Sequence, residues 1–366
     1  MEFKMPLFKE PDFSTDRFKN APDAVLKPVL RDGVAPDMYH ATTIFPEYFK
    51  VGGVWHLAEE SRMDCVAVLK GEEIKTVEFR NLKKGDMVFV GRTENAEEGI
   101  FVYTNGFEND EEFGDSFAFR QSRSRETAYS KDYDNIYELL RYEKKHGNII
   151  WVMGPACAFD ADSRESFAAL VREGYVNGLM AGNALATHDL EASYLKTALG
   201  QNIYTQKSQP NGHYNHIDTI NAVRSCGSIA EFVKNGCADD GIMYECVRNN
   251  VPFVLAGSIR DDGPLPEVYA NVYEAQDAMR GLIRNATTVI CMASALHTIA
   301  TGNMTPSFRK INGIVRPVYL YSVDISEFAV NKLKDRGSLS VKTIVTNVQD
   351  FVVNVRKGLG IRKGEN

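Results

Sequence analysis

Beyond residue 148 the chain alternates short, wholly apolar runs with longer stretches of helical period. The first run, Ile149-Ile150-Trp151-Val152-Met153, ends at Gly154, and similar runs fall at 176–181, 252–256, 287–292, 317–323 and 342–346. A run without alternation, closed by a small residue and then a polar cluster, is the pattern of a strand buried on both faces. Strands of this kind alternating with helical stretches predict a mostly parallel sheet covered by helices on both faces. Helix starts are visible at Asp162-x-x-Glu165 and Ser228-x-x-Glu231, both of capping-box form, and a charged amphipathic helix is expected near 133–145.

The first third reads differently. From about residue 50 to 106, β-type runs (54–57, 65–69, 74–79, 87–90 and 100–103) are separated by turns containing Gly or Asn. This predicts a small antiparallel β-barrel or sandwich. Residues 1–45, with weak periodicity, are expected to form an extended arm or a few short elements, and the five carboxylates of 106–118 a solvated hinge. The predicted class is α/β: a Rossmann-like, mostly parallel sheet domain preceded by a small antiparallel β domain. The predicted partition is an arm (1–45), a β domain (46–115), a hinge and helix (116–147) and the large domain (148–366).

Composition narrows the function. The 366 residues are 44% hydrophobic and 25% charged, an ordinary globular mixture, and the net charge of −7 argues against nucleic acid as the main partner. No apolar run approaches the ~20 residues of a membrane span. The N-terminus lacks the pattern of a signal peptide, and six cysteines without a Cys-x-x-Cys pair read as reduced thiols. A cytoplasmic protein with no membrane partner is expected.

Candidate chemistry gathers where strands end. Arg260, Asp261 and Asp262 follow a buried strand before the turn Gly263-Pro264, and charge there costs free energy unless something binds it. Gly182-Asn183-Ala184 would let a phosphate or ribose approach a helix N-terminus, although a plain strand-to-helix turn reads the same way. The small residues of Ser294-Ala295-Leu296-His297 allow close approach, with His297 equally readable as a helix-end histidine. Asp324 closes its strand as either a ribose-binding acid or a helix cap. Glu245 is a candidate substrate carboxylate or a surface residue. His213 and His216 lack an evident third ligand, so a metal is not expected. No Gly-x-Gly-x-x-Gly follows any strand.

Taken in order, Gly182–Asp189, Gly241–Cys246, Val254–Pro264, Leu296–Asn303 and Val323-Asp324-Ile325 resemble the lysine-oxoglutarate-reductase/saccharopine-dehydrogenase-type (LOR/SDH) domain family. That family includes archaeal-type ornithine cyclodeaminases and the C-terminal half of cyanobacterial arginine dihydrolases. The resemblance spans about Ala35 to Val352 and implies NAD-dependent conversion of ornithine to proline and ammonia. It carries NAD contacts onto Asn183, Ala184, Asp262, Ser294, Ala295, Leu296, His297, Asp324 and Asn347. The chemistry then requires proton transfer or amine binding by Asp262 or Glu245 and a carboxylate partner in Arg260. A dehydrogenase or cyclase for another amino acid, or a non-catalytic NAD-binding module, are the alternatives, and a homo-oligomer is expected. The sequence departs from the family pattern at Ala158–Asp162, at Asn211–His216 (where Tyr214 and Asn215 replace a cationic stretch) and at Asn347. Added carboxylates at Asp160 and Asp162, together with a lost cation, favour a basic diamino acid, ornithine first. Of the two acids, Asp162 is expected to cap its helix and Asp160 to be the freer.

Overall fold

The computed structural model describes residues 3–107, 130–325 and 340–363. All but the first two residues of the expected hinge lie outside them. The seven-stranded sheet runs in the order 268–269, 253–256, 178–182, 149–153, 288–292, 319–324, 340–345, and every adjacent pair is parallel.

Strand alternation divides the core between the two faces. Ile149, Trp151 and Met153 pack with Phe167, Leu190 and Phe351 of helices Ala161–Arg172, Asn183–Leu195 and Val348–Gly358. Ile150 and Val152 face Met279 and Ile283 of helix Val272–Ile283 and Met304 of helix Ala295–Met304. Both faces being dry explains the continuous apolar runs in the sequence. Trp151 is fully buried, its indole N–H donating to Tyr175 O at 2.9 Å.

The N-terminal part is two antiparallel sheets, one ordered 25–28, 87–90, 66–70, 73–77 and the other 54–57, 47–51, 100–102. Phe49 and Phe89 meet between them with ring centroids 4.4 Å apart. Two of these strands fall outside the predicted runs, for a physical reason. Val25–Pro28 is a mostly exposed edge, carrying Lys27 and Pro28. Glu47–Val51 carries two charges, Lys50 satisfied from distant sequence and Glu47 from the residues just before the strand. Lys50 Nζ donates to the carbonyls of Phe18, Lys19 and Ala21 at 3.1, 2.9 and 2.7 Å. Glu47 accepts from Thr43 N at 2.5 Å and lies 3.3 Å from His40 Nε2. The arm therefore contributes a sheet strand and the carbonyl cage of a buried lysine.

One helix start needs correction. Asp160, not Asp162, caps helix 161–172, accepting from Ser163 N at 2.8 Å, and exposed Asp162 pairs with Lys363. Ser228 does cap its helix, accepting from Glu231 N at 3.0 Å. The charged helix spans Ser130–His146. All six cysteines are unpaired, with Cys65, Cys157, Cys246 and Cys291 buried. Among the described residues no helix is long and apolar enough to cross a membrane.

Candidate active site

The chain leaves strand 149–153 towards one edge of the sheet and strand 288–292 towards the other, so their shared boundary is the switch point where α/β sheets open a crevice. The register fixes what lines it. Met153 pairs with Met292 and Ala181, Gly182 with Ala256, and Met292 with Val323, so Gly154, Gly182, Gly257, Ala293 and Asp324 share the carboxyl edge.

At the switch point the backbones nearly touch. A methyl group on Gly154 would sit 1.9 Å from Ala293 O, so only glycine fits there. Ala293 has φ +49°, a left-handed conformation that costs a non-glycine residue about 1 kcal/mol or more. The strained turn sends the chain directly into helix 295–304. A methyl on Gly182 would lie 3.4 Å from His297 Cε1, so this imidazole stands over the turn of the second strand. Ser294 Oγ and His297 Nδ1 are 2.6 Å apart, and burial lowers the imidazole's proton affinity.

Two helices open onto this edge without a side-chain cap: 183–195, behind Gly182, and 295–304, behind Ser294. Three other helices of the same domain, starting at 161, 272 and 348, are capped by Asp160, Asn271 and Asn347. Uncapped first-turn N–H groups at a cleft are donors for an anion such as a pyrophosphate. Strand 288–292, helix 295–304 and strand 319–324 form a βαβ unit whose second strand lies beside the first and ends on Asp324. That is the arrangement of a mononucleotide half-site, with an acid placed for a ribose. The hairpin Phe308–Ile311/Ile314–Pro317 lengthens the usual spacing between turn and acid. This donor set suits a dinucleotide: amide groups at a tight backbone turn, an acid one strand over, and a glycine-lined approach.

The other expected residues divide. Asn183 Oδ1 accepts from Leu265 N at 3.1 Å and from Thr187 Oγ1 at 3.3 Å, tying the loop after strand 253–256 to the cleft. That loop does not bury its charges, contrary to expectation. Arg260 and Asp262 are exposed, Ile259 is fully exposed, and Asp261 is spent within the turn, accepting from Ser258 N at 2.8 Å. The loop leaves the sheet before its charges occur, so proximity to a buried strand in sequence does not imply burial. Glu245 is buried between helices, 2.6 Å from Arg172 Nη1 and 3.0 Å from Asn249 Nδ2, and does not join the strand-end group. Asn347 caps helix 348–358, accepting from Gln349 N at 2.8 Å. The cap of Asp160 and the ion pair of Asp162 remove both acids from the charge argument for the pocket.

Two features escape a reading of the sequence: the Gly154–Ala293 contact, which is non-local, and a polar group one turn into helix 183–195. There His188 Nδ1 lies 3.1 Å from Glu191 Oε2, and Glu191 also accepts from Thr197 Oγ1 at 2.8 Å and from Leu199 N and Gly200 N at 3.0 Å. Burial works against the charged Glu191, but donation from His188, Gly200 N and Thr197 outweighs it and holds the carboxyl below its usual range. The His-x-x-Glu spacing is the one signal of this group in the sequence.

Residues 135–355 match the family described as arginine dihydrolase ArgZ-like, C-terminal, Rossmann fold. The chain is 40% identical over 337 residues to an ornithine cyclodeaminase of Methanopyrus kandleri, covering 91% of this chain and 78% of that protein. Among solved structures, a conserved putative LOR/SDH protein of Methanococcus maripaludis S2 superposes with TM-score 0.82 at 37% identity, covering 93% of this chain and 98% of that one. AgrE, solved in ternary complex with ornithine and NAD+, superposes with TM-score 0.58 at 33% identity over 93% of this chain and 46% of that one.

Proposed function

The chain belongs to the ArgZ-like C-terminal Rossmann family, and from that premise we propose that it is an NAD-dependent ornithine cyclodeaminase, forming proline and ammonia. The observation that carries the reading is the pairing of two uncapped helix N-termini, at Gly182 and Ser294, with Asp324 at the end of the adjoining strand. The likeness to AgrE, whose structure holds ornithine and NAD+, supports the choice of ligands.

In this reading the amides of Ser294 to His297 receive the pyrophosphate, and Asp324, with Asn347 nearby, takes the adenosine side. Asn183, Ala184 and Asp262 meet the nicotinamide side. When bound, NAD supplies a temporary acceptor for the hydride of the substrate α-carbon. The protein's own residues bind and orient. Arg260 is assigned to the substrate carboxylate and Asp262 to an amine, both brought in as the 257–265 loop folds over the cleft and excludes water that would hydrolyse an imine. Glu245 has no role here, since Arg172 and Asn249 hold its carboxylate. Residues 148–366 act as the catalytic unit.

Specificity constants for ornithine, lysine, 2,4-diaminobutyrate and glutamate, read as ammonia release with catalytic NAD, test the assignment. Ornithine is expected to lead. A preference for glutamate, or NADH accumulating in step with product, would overturn it.

A further inference from the structure

Resting on the cyclodeaminase reading, we propose that His188, oriented by Glu191, is the proton carrier for the far amine of the diamino-acid substrate. Ala184, His188 and Glu191 fall at i, i+4 and i+7 of one helix, and so share a face. His188 therefore lies one turn, about 6 Å, beyond the residue assigned to the nicotinamide side. A group at that remove suits the end of a short diamine chain whose α-carbon sits at the cofactor.

The surroundings fit a substrate amine better than a structural histidine. Nδ1 is engaged by Glu191, which leaves Nε2 as the working nitrogen, as in base–orienter pairs generally. Phe159, from the loop after strand 149–153, lies against the ring at 5.2 Å between centroids and offers an apolar wall for methylenes. His216, at the start of helix Asn215–Cys226, is 6.3 Å away between centroids. Its Nδ1 is buried with no hydrogen-bond partner, an atom that a bound amine would satisfy. The adjacent Asn215 Nδ2 donates to Thr197 Oγ1 at 2.8 Å, tying that helix to the same polar group. The titratable groups facing His188 are thus Glu191 and His216, while Asp160 beside Phe159 is turned to Ser163 N.

The step balances. Nε2 takes a proton from the δ-ammonium, and the freed lone pair forms the nitrogen–carbon bond as the C=N pair retreats to the α-nitrogen. His188 returns its proton to that nitrogen and takes one from the ring nitrogen. The ring lone pair then makes the new C=N bond as ammonia departs, and the proton passes to solvent.

The test compares wild type with His188→Gln in a single turnover with ornithine and NAD. Hydride removal, read as the rise in reduced-nicotinamide absorbance, should stay within a few-fold, while proline and ammonia release fall by about 10²–10⁴-fold. NAD affinity by fluorescence titration and the melting temperature should be unchanged. Added imidazole should restore ring closure to His188→Ala. Wild-type ring closure in His188→Gln, or loss of hydride removal or NAD affinity along with it, would overturn the proposal. A lowered melting temperature without imidazole rescue would assign His188 to packing and overturn it too. Wild-type protein that removes no hydride from ornithine refutes the cyclodeaminase reading itself, before any variant is compared.

Discussion

Asp324 shows how little a single residue type discloses until its neighbours are known. At the end of an apolar run an acid is either a ribose ligand or a helix cap, and the residues around it allow both. Our proposal takes the ribose reading because of the strand beside it, which ends at the strained Ala293 and the uncapped turn at Ser294. In our account Asp324→Ala loses charged hydrogen bonds to a ribose, about 1.5–3 kcal/mol, or roughly 10–150-fold in NAD affinity. Calorimetric titration with NAD checks this, and unchanged affinity in a folded variant would leave Asp324 without a cofactor role. Other residues are legible only in part. Arg260, Asp261 and Asp262 stand out in the sequence as a polar cluster at a strand end, but their exposure does not, because burial depends on which way the loop leaves the sheet. Glu245 stands out for its charge on an apolar helix, but its partner Arg172 comes from a helix far away in sequence.

Elements meet through contacts of long sequence separation, and the joint between the β sheets and the large sheet includes an ionic cluster. Glu78, just past strand 73–77, pairs with Arg62 and lies 2.5 Å from Arg280 Nε on helix 272–283, while Arg80 Nη2 is 2.6 Å from Asp277 Oδ1. Burial would raise the Glu78 carboxyl, but Arg62 and Arg280 outweigh it and hold it down to about 2. Arg280 is itself pushed down by burial, yet a guanidinium stays charged throughout the acid and neutral range. A depressed carboxylate stabilises the fold above its unfolded value near 4.5, and that contribution is lost as pH falls from there through about 2. Glu78→Gln should therefore cost ~3 kcal/mol at neutral pH, with the gap to wild type closing below pH 4.5. Urea unfolding at several pH values measures this, and a gap independent of pH would contradict the role given to the pair. The central strands of the large sheet are readable from sequence within a few residues because they are dry on both faces, whereas the two-residue edge strand 268–269, with Tyr269 exposed, leaves no such run. Strand 47–51 is not readable in this way, because it carries two buried charges, and the carbonyls that satisfy Lys50 arrive from a segment about thirty residues earlier.

At the scale of the whole molecule, the seven-stranded parallel sheet dominates, its two halves diverge at one boundary, and the proposed chemistry sits on that boundary. Alternating runs are enough to infer the layers, but not the strand order, which sets a helix N-terminus on each side of the switch point. The sequence resemblance points to NAD and ornithine. In our proposal the adenosine side lies over strands 288–292 and 319–324 and the reacting side over 149–153 and 178–182. The proposed reaction requires that a hydride leave the substrate α-carbon and come back to the same carbon within one site. L-ornithine carrying deuterium at Cα, turned over with catalytic NAD, measures it by mass spectrometry of the proline. The proline should keep its deuterium at C2, with ammonia released mole for mole and no net NADH. Proline that has exchanged its deuterium with water, or reduced cofactor accumulating with product, would contradict it.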